Sequence, residues 1–157
     1  MLLFPIETSN RELIPKIYLA SKFAEKGYSS YVGQKSQIWN TIEYVRSPIY
    51  FDKGYHEGVS EEIYESVRAN NGYIISLDEE NGVDFKNNST LNHRFTDLAL
   101  SYFDLVFLWG NPQFKHLSNS RSNFIPSKSF SSGHPRFDLL KENFRKIYSS
   151  EVERLKS

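Results

Sequence analysis

Gly72-Tyr73-Ile74-Ile75-Ser76-Leu77-Asp78-Glu79-Glu80-Asn81-Gly82 is the stretch on which the fold turns. Tyr73, Ile74, Ile75 and Leu77 follow a glycine and lack the strict alternation of a strand with one wet face. Such a run suits a strand buried on both faces, as in a parallel sheet. It stops at three adjacent carboxylates and then at Asn81-Gly82, a turn signal. Adjacent acids repel one another, so the chain either exposes them at a solvated turn or holds them for use. This segment alone leaves both readings open.

Five other apolar runs end in the same way. Leu2–Ile6 is followed by polar residues 7–12. Then come Leu13, Ile17, Ala20, Phe23 and Ala24 at helical spacing, with Ser9 or Asn10 as cap and Gly27 as stop. Residues 30–32 form a second short strand that ends at Gly33-Gln34-Lys35, and 36–45 are weakly helical. Residues 49–51 end at Asp52-Lys53-Gly54, and Ser60 is placed to cap a helix bearing Ile63, Tyr64 and Val67. Past the opening strand, 83–92 read as loop and 94–101 as a short helix. Residues 104–109 are the clearest buried strand, ending at Gly110-Asn111-Pro112. A sixth strand over 128–132 ends at Gly133-His134-Pro135-Arg136, and a helix follows over 137–148. Strand and helix signals alternate throughout. The expected fold is therefore α/β, a Rossmann-like parallel sheet of about six strands with helices on both faces. The strands 74–77 and 105–108 belong at its centre.

The parallel topology has a consequence for function. All strands end at the same edge, where ligands bind in such sheets. Glu7, Arg11, Lys53, Asp78, Glu79, Glu80, Trp109, Asn111, His134 and Arg136 are therefore expected on one rim.

Composition narrows the options. The chain has 157 residues, the size of one domain. Lys plus Arg is 19 and Asp plus Glu is 19, a balance that gives no electrostatic case for nucleic acid. There is no cysteine, hence no disulfide framework and no thiolate chemistry. No window approaches the length of a membrane span, and the first residues lack the basic lead of a secretory signal. The protein is expected in the cytoplasm, with a peripheral position at the inner face of the membrane as the variant reading.

Several chemistries lack their signatures. There is no Gly-x-Gly-x-x-Gly after the first strand, no Walker A sequence and no Gly-x-Ser-x-Gly elbow. The histidines at 56, 93, 116 and 134 show no zinc spacing, and no metal site is expected. His134 alone falls on the expected rim. The carboxylates at 78–80 suit proton transfer, attack at an anomeric carbon, or capture of sugar hydroxyls. In Gly133-His134-Pro135-Arg136-Phe137-Asp138-Leu139-Leu140, proline fixes the start of a helix and arginine offers a fork for carboxylate or phosphate. A tight turn whose arginine pairs with a nearby acid fits that stretch equally well.

The same stretch resembles the Gly-x-Pro-Arg-x-Asp-Leu-Leu turn of bacterial surface-polysaccharide enzymes. These are the surface carbohydrate (capsule and lipopolysaccharide) biosynthesis proteins related to Kdo transferases and, more distantly, the teichoic-acid glycerophosphotransferases. Leu2-Leu3-Phe4-Pro5-Ile6-Glu7 with Arg11-Glu12, Ile49-Tyr50-Phe51-Asp52-Lys53, Leu77-Asp78-Glu79-Glu80 with Gly82, and Val106-Phe107-Leu108-Trp109-Gly110 resemble the first group in the same order. Asn81 departs from the pattern, in which the acids run straight to glycine.

The resemblance implies the N-terminal, acceptor-side half of a GT-B glycosyltransferase. Residues 1–148 would be that Rossmann-like domain, and 149–157 a polar tail or the start of an interdomain linker. A donor-binding C-terminal domain, or a self-association partner, would complete the cleft. The donor would be a nucleotide-activated sugar such as CMP-Kdo, with no other cofactor, and the acceptor a glycan or glycolipid. Asp78, Glu79 and Glu80 would act at the anomeric centre or on the acceptor hydroxyl. Glu7, Arg11, Lys53, Trp109, Asn111, His134 and Arg136 would bind substrate. Asn and Gln replacements at 78–80 are expected to leave folding intact. An exposed apolar edge including Trp109, Tyr50 and Phe51 is expected beside the rim. Besides a fragment of a teichoic-acid enzyme of the glycerophosphotransferase kind, the readings from other classes are a non-catalytic α/β module that binds a ligand or partner, and a phosphoacceptor domain of the response-regulator kind. The second of these lacks its lysine on a late strand.

Overall fold

The computed structural model describes residues 1–80, 84 and 86–156. The Asn81-Gly82 turn and part of the expected 83–92 loop lie outside these residues. Six strands, β1 (Leu2–Ile6), β2 (Ser30–Gln34), β3 (Ile49–Asp52), β4 (Tyr73–Leu77), β5 (Leu105–Phe107) and β6 (Ser129–Phe130), form one sheet in the order β2-β1-β3-β4-β5-β6. Every neighbouring pair is parallel. The crossovers carry α1 (Ser9–Ala24), α2 (Lys35–Ile42), α3 (Ser60–Ala69), α4 (Ser89–Arg94), α5 (Asp97–Tyr102) and α6 (Asn111–Ser120). Beyond β6 come α7 (Pro135–Asp138), a 3-10 stretch at Glu142–Tyr148, and α8 (Ser149–Lys156).

The continuous apolar runs serve both faces because successive strand side chains alternate. Leu3, Tyr50, Ile74 and Val106 point to the face covered by α2 to α6, in the larger core. Leu2, Phe4, Phe51 and Leu77 point to the other face, where Leu19, Ala20 and Phe23 of α1 meet them. Chain order reverses between β1 and β3, which makes their C-terminal ends the switch point of this Rossmann-like sheet.

Several local expectations differ from the structure. The central pair is β3–β4, and β5 lies next to the short edge strand β6. Tyr50 and Phe51 are 1% and 3% exposed, so neither edges an apolar surface; they fill opposite faces of the central β3. The β5 ladder ends at Phe107, leaving Trp109 half-buried beyond it. Ser60 is the first residue of α3 rather than its cap, and its Oγ accepts the His56 N–H at 2.9 Å. The helix expected over 94–101 divides into α4 and α5, because Thr96 is extended and its hydroxyl caps α5 at the Ala99 N–H, 3.0 Å away. The helix expected over 137–148 is broken by extended backbone at Lys141. Residues 149–156 are helical and exposed.

On α1 the spacing places only part of the inner face, where Ala20 and Phe23 pack on the sheet. Leu13 and Ile17 are exposed, whereas Glu12, Pro15 and Lys16 are buried. Two charged residues take the inward stripe because the rim supplies their counter-charges.

Gly72 joins α3 to β4, its N–H bonded to Val67 O at 2.9 Å. A Cβ there would lie 2.6 Å from Pro48 O and 2.7 Å from Val67 Cγ1. Gly72→Ala is expected to cost about 1–3 kcal/mol by overpacking, read as a lower urea midpoint at unchanged m. An unchanged midpoint would show that the α3–β4 junction yields freely.

Candidate functional site

The C-terminal edge of the sheet carries a continuous network of charges. At the switch point Glu7 follows β1 and Lys53 follows β3. Lys53 Nζ lies 2.7 Å from Glu7 Oε2 and 2.9 Å from Glu12 Oε1. Lys35, at the start of α2, reaches Glu7 Oε1 at 2.9 Å. The Glu7 N–H donates to Glu12 Oε2 at 3.0 Å, and Arg11 pairs with Glu12 Oε1 at 2.8 Å. Burial raises the Glu7 carboxyl, but hydrogen bonds from Lys53 and Lys35 outweigh it and bring it down to about 2. Glu7 is thus a fixed anion and a poor base.

The three carboxylates after β4 have three different environments. Asp78 is 1% exposed; its Oδ2 is 3.1 Å from Arg94 Nη1, and its Oδ1 accepts the Glu80 N–H at 2.7 Å. Burial dominates there and pushes its carboxyl up to about 7, against the Arg94 charge and the Glu80 N–H. Glu79 is also 1% exposed. Its Oε1 lies 2.8 Å from Lys16 Nζ, an ion pair off the hydrogen-bond axis. Its Oε2 meets the Arg136 guanidinium and lies 3.4 Å from His134 Nε2. Burial opposes its ionisation, yet His134 and Lys16 hold it well below the usual carboxylate range. Glu80 alone faces outward: its side chain is 45% exposed and it bridges Arg94 to Arg11.

The remaining residues brace this edge. The Glu79 N–H donates to Lys53 O at 2.9 Å, tying the ends of β3 and β4 together. Trp109 Nε1 donates to Asp78 O at 2.8 Å, and its ring lies 5.1 Å from that of His134. His134 Nδ1 accepts the Arg136 N–H at 3.2 Å, so the proton of the neutral ring sits on Nε2, toward Glu79. The Gly54 N–H donates to buried Asp52 at 2.9 Å, and a Cβ on Gly54 would fall 1.9 Å from Arg94 Nη1.

Nine of the ten sequence-selected residues therefore lie on this network. Asn111 does not: it opens α6 beside a separate hollow lined by Phe114, Ser129 and Phe130. Sequence reasoning missed Lys16 and Arg94 and gave Glu12 no role. Glu12 and Lys16 are four residues apart, a spacing that puts them on one helix face, and that was the available signal. Arg94 carried none, because its partners are fixed only by the tertiary fold. Comparison with protein-family models, with curated proteins and with solved structures gives no match.

The expectation that folding survives all three neutral substitutions is sharpest at Glu79, which is buried among cations. Glu79→Gln leaves buried Lys16 and half-buried Arg136 without their counter-charge and should cost about 3–5 kcal/mol. Glu80→Gln, at a half-exposed site, should stay within about 1 kcal/mol. Urea unfolding of both variants separates a structural anion from a surface one, and equal costs would contradict this assignment.

Asp78 gives a pH signature. Its folded carboxyl titrates near 7, whereas an unfolded aspartate titrates near ~4. The folded state then holds a proton that the unfolded state has released, so this group's stabilisation is lost as pH rises between those values. Asp78→Asn escapes the loss. Its stability relative to the native chain should improve from pH 5 to about pH 7 and level off above that, and a flat difference across the range would rule out the raised carboxyl.

Proposed function

We propose that this chain is the acceptor-side Rossmann-like domain of a glycosyltransferase of bacterial surface carbohydrate assembly. A second domain would supply the nucleotide-activated sugar, CMP-Kdo being the donor that the sequence resemblance implies. The observation that carries this reading is the rim itself. Six carboxylates (Glu7, Glu12, Asp52, Asp78, Glu79, Glu80) and six cations (Arg11, Lys16, Lys35, Lys53, Arg94, Arg136) share one edge. The balance leaves little net field to attract a polyanion, while the fixed acceptors and donors suit uncharged hydroxyls.

Of the two rim carboxylates open to an incoming hydroxyl, Glu7 and Glu80, both 45% exposed, Glu7 is held as a fixed anion by Lys35 and Lys53, which leaves Glu80 as the base. Arg11 and Arg94 fix its position, and β4 fixes its backbone. In the transfer step the acceptor hydroxyl gives its proton to Glu80, and its oxygen bonds to the anomeric carbon. The bond from that carbon to the donor phosphate breaks, with its electron pair leaving on the nucleotide. Asp78 and Glu79, being enclosed, act as positioning residues. Arg136 and Lys53 hold that frame from the α7 and β3 sides.

The test is product formation by mass spectrometry from sugar nucleotide and glycan acceptor, with the second domain present. Glu80→Gln should lower the rate by at least about 100-fold if it removes the base, with circular dichroism unchanged. A near-normal rate refutes the role of Glu80. The internal pairing of Asp78 and Glu79 favours a second reading, a binding module without turnover. In that case glycan binds the native chain and no product forms.

A further inference from the structure

The two edges of the sheet differ. β6 is blunted by its length of two residues. β2 is a full strand of five residues, Ser30-Tyr31-Val32-Gly33-Gln34, with a neighbour on one side only. It carries no charge and no proline, and its register with β1 runs without a bulge. The usual protections of a sheet edge are therefore missing from it. The first charge after it, Lys35, is turned back to Glu7 at 2.9 Å.

The ladder decides which main-chain groups this edge presents. The Leu2 N–H donates to Ser29 O at 2.9 Å, so Tyr31 and Gly33 turn their main-chain groups toward β1. Ser30, Val32 and Gln34 turn theirs away from the sheet. That outward row is symmetric about Val32. When two such edges run antiparallel, Val32 exchanges both bonds with Val32 of the partner subunit, and Ser30 does so with Gln34 of the partner subunit.

The helix above this edge repeats the same self-match. Leu13, Ile17, Ala20 and Ala24 follow one another at spacings of four, three and four, the seam spacing of paired helices. Yet Leu13 and Ile17 are 38% and 51% exposed, and Ala24 is exposed as well. Tyr18, on the other flank of α1, meets Phe144 beyond α7. The seam thus lies on the β2 side, where Ala20 and Val32 join one apolar cluster. None of its four residues is charged, so a second copy brings no like charge against it.

We infer that two copies of this chain associate about a two-fold axis at Val32, with their β2 edges joined antiparallel into one sheet and their α1 seams packed across the joint. Leu13 then faces Ala24, and Ile17 faces Ala20, of the partner subunit, large against small. An isologous interface requires a patch complementary to itself, and here the edge and the seam both are. A foreign strand would satisfy the edge and leave the seam uncovered. This inference does not depend on the glycosyl-transfer reading.

Sedimentation equilibrium of the full chain tests it, together with amide exchange followed by NMR. The native chain should be a dimer whose Val32 amide, outward in a single copy, is protected and loses that protection on dilution. Gln34→Pro removes an outward donor at a position whose φ, −56°, already suits proline. Ile17→Glu sets like charges across the seam from an exposed site. Each should weaken association at least about tenfold, with circular dichroism unchanged. Leu155→Glu, at an 84% exposed position on α8, should leave association as it is. A monomer at concentrations up to about 1 mM, a dimer whose Val32 amide exchanges freely, or a dimer undone by Leu155→Glu and untouched by Ile17→Glu would each overturn the proposal.

Discussion

The structure depends on one buried carboxylate. Glu79 follows the central strand β4 by two residues, yet it belongs to three elements at once. Lys16 comes to it from α1, and His134 and Arg136 from the turn into α7. Its own N–H is held by Lys53 O at the end of β3. An ionised group enclosed to this degree is tolerated only with its partners in place. The carboxylate therefore fixes where α1 crosses the sheet and where the chain turns after β6.

That constraint divides the rim by accessibility. Asp78 and Glu79 are enclosed by arginine, lysine and main-chain donors, and Glu80 reaches solvent between two guanidiniums. Three consecutive acids thus take three roles without differing in kind, set by the alternation of side chains at a strand end. The switch point at Glu7 and Lys53 is filled by protein charge, so a ligand approaching it meets an already ordered surface. Such order suits recognition of neutral polar groups, whose hydrogen bonds are short-ranged and geometric, better than long-range attraction of charged ones.

Much of this was legible in the chain. The runs at 2–6, 73–77 and 105–108 lack the alternation of half-wet strands, and that was enough for a parallel sheet whose strands end at one edge. Boundaries failed where a local hydrogen bond competed with the pattern, as at Thr96 and Ser60, or where one extended residue broke a helix, as at Lys141. The inward face of α1 failed for another reason. Apolar periodicity assumes that charge faces water, and Glu12 and Lys16 face inward because their partners lie on other strands. Arg94 was invisible for the same cause. Long-range pairing leaves no mark on the sequence around either partner.

Gly54 carries a consequence of its own. Its φ is +149°, and the Arg94 guanidinium runs through the space a side chain would fill. The residues stand forty positions apart, yet they occupy a single volume. In any lineage descended from this fold, a β-carbon at 54 displaces the Arg94 guanidinium or comes with a shorter residue at 94. Losing the arginine would strand Asp78 without its cation, so a third change would have to follow. Positions 54, 78 and 94 are in this sense one heritable unit, and drift at the rim would come in such sets rather than in single steps.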